Sequence, residues 1–194
     1  MNKITMLKKE LRDIYREKRK GLSAKDRNKL DDLLLIQFQT LELPFLQALL
    51  SYWPIEENNE PDTHLLTEFL RFRNPEIKIA YPVADFSTIS MIAVAVDIDT
   101  AFVKRELNIY EPQEGQAILP AELDMVIVPL LAFDTKGYRV GYGKGFYDQY
   151  LSACREDCIR LGLSYFDPVN VISDCNDFDV PLSHCITPRA VYVF

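Results

Sequence analysis

No apolar run in this 194-residue chain approaches the roughly 20 residues that a membrane-spanning helix needs, so no membrane partner is expected. The first twenty residues, MNKITMLKKELRDIYREKRK, contain no apolar core of the kind a secretory signal carries. Cysteine is scarce. Cys154, Cys158, Cys175 and Cys185 all fall in the last quarter of the chain and none forms a CxxC pair. Four such residues are too few for a disulfide scaffold of this size, and they read as reduced thiols of a cytoplasmic protein. Histidine is scarcer still, with His64 and His184 alone, and neither sits at metal-ligand spacing from other ligand types. Cys154 and Cys158 share a helix face and read as packing residues. There is no internal repeat, no low-complexity tract and no clear linker, which leaves one domain over residues 1–194 as the expectation.

What is present is an ordinary globular composition, 48% hydrophobic and 26% charged, which excludes wholesale disorder. The net charge is −7 but unevenly placed. Residues 1–29 hold eleven Lys and Arg against four acids, a surplus of seven, so the remainder carries −14. A basic arm on an acidic body has three readings: a nucleic-acid contact, a solvated helix face, or a few cations reaching an anionic small molecule. The acidic body weighs against a broad nucleic-acid surface, because neutralising phosphates needs basic groups gathered on one face.

Apolar Ile4, Leu7, Leu11, Ile14 and Tyr15 recur at helical spacing, predicting a basic N-terminal helix over about 3–20 that packs on the body. Lys8 and Arg12, four apart, share another face of it. Gly21 closes that helix, and Ser23 caps a second one running to about Thr40. Residues 46–53 read as a short strand, 62–72 as a helix capped by Asp62 or Thr63, and 77–83 and 88–96 as strands. Residues 102–122 look irregular. MVIVPLLAF, residues 125–133, reads as one strand buried on both faces, followed by a glycine-rich loop, a helix to about Arg155 and late strands at 158–163 and 190–193. Strands alternating with helices predict a layered, Rossmann-like α/β fold with a largely parallel central sheet flanked by helices.

The most informative stretch runs from Asp134 to Asp148, DTKGYRVGYGKGFYD. It follows the most apolar strand and opens a helix. Gly141, Gly143 and Gly145 alternate, and glycine lets a backbone approach a ligand closely. Successive N–H groups there, with Arg139 and Lys144 beside them, suit an anion. The loop lacks the GK[ST] ending of a Walker A motif, and Phe146 stands where a dinucleotide fingerprint needs its third glycine. A tight strand-to-helix turn with incidental glycines is the bland alternative. Ligands in open α/β sheets bind beyond the carboxyl ends of strands, which favours the binding reading.

RVGYGKGFYDQYL, Arg139 to Leu151, resembles the signature of the 5-formyltetrahydrofolate cyclo-ligases, also called 5,10-methenyltetrahydrofolate synthetases. Lys8 to Arg12, Glu60-Pro-Asp-Thr63, Asn108-Ile-Tyr-Glu-Pro112 and Asp179-Val-Pro-Leu182 resemble further elements of that family in the right order. Pro61, Gln149 and Ser183 depart from its usual residues. The resemblance implies an ATP- and Mg²⁺-dependent ring closure of 5-formyltetrahydrofolate by a chain expected to act as a monomer. It assigns Lys8, Arg12, Arg139, Gly141, Gly143, Lys144, Gly145 and Tyr147 to ATP, with Arg139 and Lys144 catalytic. It assigns Glu60, Ile55, Tyr147, Phe102 and Tyr110 to the folate, and Asp148 and Asp179 to magnesium. Lys8 and Arg12 are expected to reach the phosphates from the face opposite the glycine loop. A noncatalytic folate- or nucleotide-binding protein on the same fold is the alternative, since fold alone does not fix activity.

Overall fold

The structure, a computed structural model, describes residues 5–194. Lys3 and Ile4 of the expected N-terminal helix lie outside the described residues. In chain order the elements begin with β1 (Thr5–Met6), α1 (Lys8–Lys20), α2 (Ala24–Gln39), β2 (Ala48–Leu50), α3 (Thr63–Arg73), β3 (Lys78–Asp85) and β4 (Ser90–Val96). There follow β5 (Phe102–Lys104), β6 (Tyr110–Pro112), β7 (Ala117–Ile118), β8 (Met125–Val128), β9 (Ala132–Phe133) and β10 (Arg139–Val140). The chain closes with α4 (Phe146–Leu151), β11 (Ile159–Leu163), β12 (Val171–Ile172), β13 (His184–Ile186) and β14 (Val191–Val193).

Eight strands form one sheet in the order β14-β13-β11-β8-β2-β3-β4-β7. The five central strands from β13 to β3 are mutually parallel, and the strands at both edges are antiparallel. The expected layered α/β fold with a largely parallel centre is thus the observed one. Its side chains alternate between two cores, as pleating requires. Leu49, Ile79, Met125, Ile127 and Leu161 meet Leu34 and Phe38 of α2 and Leu66 and Leu70 of α3. Leu50, Ala80, Val126 and Val128 face the opposite way and meet Tyr150 and Leu151 of α4. A third cluster joins Leu11 and Tyr15 of α1 to Ala132, Val140 and Ile172. Among the described residues no helix is long and apolar enough to cross a membrane.

Several boundaries differ from the sequence reading, each for a local reason. Helix α1 starts at Lys8, because Thr5 and Met6 pair in parallel with Val171 and Ile172. Ser23 caps α2 as expected, its hydroxyl accepting from the Asp26 amide at 3.1 Å, and Asp62 caps α3. The apolar run 125–133 is two strands. Pro129 has no N–H for a ladder, so β8 ends at Val128 and the chain turns into a β9–β10 hairpin. Helix α4 ends at Leu151 rather than near Arg155, closed by three-residue turns from Ala153 to Tyr150 and Cys154 to Leu151. The stretch 102–122 contains a β5–β6 ribbon and the edge strand β7. Strand β13 was also absent from the sequence reading. Its Cys185 and Ile186 are fully buried between neighbours on both sides.

Candidate functional site

A cavity of about 650 Å³ opens past the carboxyl ends of the central strands. Tyr52 and Trp53 follow β2, Pro129 follows β8, and Pro82 and Ala84 close β3; all five line it. Pro82 is tolerated in an inner strand because β2 ends at Leu50. The Ala80 carbonyl still accepts from Ser51, but Pro82 directs its nitrogen the same way, beyond that last ladder bond. A break in the sheet therefore forms part of the cavity wall.

The glycine loop forms one side. Gly143 and Gly145 have φ of 89° and 83°, the left-handed region that β-carbons disfavour. At Gly143 a β-carbon would also stand 3.3 Å from the Arg12 guanidinium. Among the described residues, the amide N–H groups of Tyr142 to Gly145 donate to no carbonyl or side chain, which leaves them free for a ligand or water. Lys144, on the loop, is exposed and has no ion-pair partner among the described residues.

Arg12, Lys8 and Arg139 on this side are already engaged. Arg12 Nε donates to the Gly141 carbonyl at 3.0 Å, so this residue lies on the glycine loop itself, not opposite it as the sequence suggested. Lys8 Nζ pairs with the Asp179 carboxylate, whose Oδ2 also accepts from the Asn176 amide at 2.7 Å. Arg139 is 8% exposed. Its guanidinium donates to Asp148 Oδ1 at 2.8 Å and to the Val180 carbonyl, and Asp148 Oδ1 also accepts from the Val180 amide at 3.1 Å. Burial lowers the pKa of Arg139 and the Asp148 carboxylate opposes that shift, but a guanidinium stays charged. Arg139 lines the cavity as a brace between the loop and the Val180 segment.

A second part of the wall is built around Glu60, 5% exposed in the loop between β2 and α3. Asn59, at φ 47°, turns the backbone into position. Glu60 Oε2 accepts from the Ile55 amide at 2.8 Å, and Oε1 accepts from the Tyr142 hydroxyl. Burial raises the carboxyl's pKa, while these two donors and the Arg19 charge lower it. Trp53, Ile55, Phe86, Met91 and Leu107 give the cavity its aromatic and aliphatic lining. Tyr147 also lines the cavity; its hydroxyl is buried with no hydrogen-bond partner, and burial pushes its ionisation far up.

Of the site residues named from sequence, Lys8, Arg12, Ile55, Glu60, Arg139, Gly141, Gly143, Lys144, Gly145, Tyr147, Asp148 and Asp179 come together around this cavity. Phe102 and Tyr110 do not line it. They stack on Trp53, with ring centroids 4.5 and 5.1 Å from it, and Trp53 presents the surface instead. The sequence reading missed Arg16, Trp53, Arg105, Glu111 and Tyr142, all of which line the cavity. Arg16 carried a signal, since it continues the face of Lys8 and Arg12 by one more turn. So did Glu111, inside the Asn108–Pro112 stretch; its Oε1 accepts from the Ala84 amide at 2.9 Å. Of the three departures from the family's residues, Ser183 has a visible use: its hydroxyl accepts from the Arg160 amide at 2.8 Å.

The arrangement gives one cavity two chemical halves: cations and free amides along a glycine loop, and a buried carboxylate among aromatic and aliphatic walls. That pairing fits a phosphate donor beside a heterocycle with N–H donors. Known proteins are similar to this chain in sequence and in fold. The family model described as the 5-formyltetrahydrofolate cyclo-ligase family matches residues 4–188. A 5-formyltetrahydrofolate cyclo-ligase of Mycoplasma pneumoniae is 28% identical over 181 residues, covering 91% of this chain and 97% of that protein. The Escherichia coli K12 protein of the same name is 31% identical over 117 residues, 55% of this chain and 60% of that one. Among solved structures, the 5,10-methenyltetrahydrofolate synthetase of Aquifex aeolicus superposes with a TM-score of 0.76 at 28% identity, over 97% of this chain and 93% of that one. The M. pneumoniae synthetase does so at 0.71 and 26%, over 93% of this chain and 98% of that one. With the match running nearly end to end in both sequence and structure, the chain belongs to the 5-formyltetrahydrofolate cyclo-ligase family of enzymes.

Proposed function

We propose that the chain uses ATP to close 5-formyltetrahydrofolate to 5,10-methenyltetrahydrofolate, releasing ADP and phosphate. The observation that carries this reading is that the glycine loop and Glu60 line one cavity. The formyl oxygen is a poor leaving group. Its attack on the γ-phosphorus of ATP expels ADP and converts that oxygen into a phosphate ester. N10 then attacks the formyl carbon and gives up its proton to solvent, and the carbon–oxygen bond breaks with phosphate as the leaving group. Such a transfer asks the protein for positioning and charge neutralisation more than for a nucleophile.

Lys144, Arg12 and Arg16 supply cationic donors to phosphate oxygens, together with the free amides of the loop. Lys8 would exchange its Asp179 partner for phosphate. Glu60 accepts from pterin N–H groups, and the aromatic walls exclude water from the activated carbon. Among the described residues no cluster of three His, Cys, Asp or Glu could hold a metal. That suits Mg²⁺ carried by nucleotide phosphates, since this ion keeps several waters and needs only one or two carboxylates. Asp148 and Asp179 would hold it, and when bound it offsets phosphate charge. The four free cysteines support a reducing, cytoplasmic setting, and the chain is proposed to act as a monomer.

The test is to mix the protein with 5-formyltetrahydrofolate and Mg·ATP and follow the near-ultraviolet absorbance of the methenyl product. Product that requires ATP and appears with stoichiometric ADP is expected. Absence of product from a folded sample overturns the reading.

A further inference from the structure

Arg19 is the buried cation of the basic helix, and phosphate chemistry does not use it. It is 2% exposed, at the end of the Leu11–Tyr15 stripe that packs against β9 and β10. Its guanidinium donates to the Leu130 carbonyl and, at 3.1 Å, to the Tyr142 hydroxyl. That hydroxyl in turn donates to Glu60 Oε1. Arg16 stands over the same phenol ring, 5.9 Å from its centroid. The segment is fixed from the other side too, because the Arg19 carbonyl accepts from Asn59 Nδ2 at 2.8 Å, immediately before Glu60. A buried cation, a neutral phenol and a buried carboxylate are therefore joined in one hydrogen-bonded chain, and the phenol belongs to the glycine loop.

We propose that Tyr142 is a positioning residue for the folate half of the site. Its hydroxyl relays the charge of Arg19 to Glu60, holding that carboxylate ionised and aimed into the cavity. The proposal rests on the reading of Glu60 as the pterin acceptor. The physical need is plain: a carboxylate taken out of water protonates unless donors stabilise its charged form, and a protonated Glu60 would offer the pterin a weaker acceptor. A direct Arg19–Glu60 ion pair would neutralise the acid and occupy it. A phenol between them passes on part of the stabilisation and leaves lone pairs of the carboxylate for substrate. The remaining groups facing Glu60 are the Ile55 amide and the phenols of Tyr52, Tyr147 and Tyr165, the last donating to the Glu60 backbone carbonyl at 3.2 Å. Burial keeps those phenols neutral across the working pH range. Arg19 is thus the positive charge that favours the ionised acid.

The test is equilibrium binding of 5-formyltetrahydrofolate without ATP, as a function of pH, for wild type, Tyr142→Phe, Glu60→Gln and the double variant. Tyr142→Phe keeps the ring and removes only the hydroxyl. Binding near neutral pH should weaken by about tenfold, the worth of a hydrogen bond to a charged group. Its acid limb should shift to higher pH, so the deficit shrinks as pH rises. In the Glu60→Gln background the same change should cost nothing further. A pH-independent loss, an equal loss with Gln at position 60, or binding identical to wild type overturns the relay while leaving the proposed reaction intact. A folded wild-type protein that binds no 5-formyltetrahydrofolate overturns the proposed function and the relay together.

Discussion

On the glycine-loop side of the cavity, charge is paired before any ligand arrives: Lys8 holds Asp179 and Arg139 holds Asp148. On the Glu60 side, one carboxylate is held by an amide and a phenol, with no cation touching it directly. The difference matches what each half must receive. A polyphosphate brings several charges and can take over existing cation partners, so ion pairs there are exchangeable storage for its binding site. A neutral heterocycle brings no charge with which to break an ion pair, so its acceptor must stand ready. Lys144, Arg12 and Arg16 depart from the pattern on the loop side: among the described residues none of them has an ion-pair partner, and Arg12 donates to the Gly141 carbonyl instead.

The sharpest way to break this contrast is Arg139→Ala. Asp148 and the Val180 carbonyl would lose their donor. Removing one partner of a largely buried pair costs about 3 kcal/mol. That should lower the melting temperature of a chain this long by roughly 6–12 °C, with activity falling as the loop loses its brace. An unchanged melting curve with lost turnover would instead make Arg139 a phosphate ligand and nothing more.

Glu60→Gln comes next. It keeps the shape and removes the charge, so affinity for 5-formyltetrahydrofolate should fall about 10–100-fold, the range for a hydrogen bond to a charged acceptor. The Michaelis constant for ATP should not move. Equal losses for both substrates would show that the two halves are not separate.

Lys144→Ala is expected to mirror it on the other side. The Michaelis constant for ATP should rise about tenfold for one lost charge-assisted contact. The unfolding curve should stay within about 0.5 kcal/mol of wild type, because an exposed unpaired cation contributes little to folding. A loss of stability here, measured by denaturant titration, would mean the loop depends on this side chain for its shape.

The two halves were not equally legible in the sequence. The loop side was, because its chemistry is local: alternate glycines, adjacent cations and a helix face repeating every four residues. Even there the partner assignments required the fold, since nothing in KKELR shows that Arg12 folds back onto Gly141. The Glu60 side depends on contacts between distant segments. Arg19 looks like one more solvated cation until α1 packs and brings it to Tyr142, 123 residues away. Phe102 and Tyr110 had suitable chemistry but sit behind Trp53, a layering that sequence does not encode. The sheet shows the same split. Strongly apolar strands were readable. The β5–β6 ribbon was hidden because its connection needs left-handed backbone at Leu107 and Asn108, a conformation asparagine adopts but leucine rarely does.

Tyr147 lies where the halves meet, with Glu60 and Arg139 both close enough to influence its phenol. Its hydroxyl is buried and unpaired in the free protein. A buried hydroxyl without a partner is a liability that persists where a ligand supplies one. Tyr147→Phe should therefore leave the free protein as stable as wild type or stabilise it by up to about 1 kcal/mol, because no bond is lost and a desolvated polar atom is removed. Affinity for one substrate should drop by roughly 2–10-fold, the worth of one ordinary hydrogen bond. Thermal unfolding of the free protein, with separate titrations of ATP and 5-formyltetrahydrofolate, reads all three quantities. The substrate that weakens identifies the half to which the phenol belongs. If both titrations match wild type, the hydroxyl serves neither and Tyr147 is a packing residue between them.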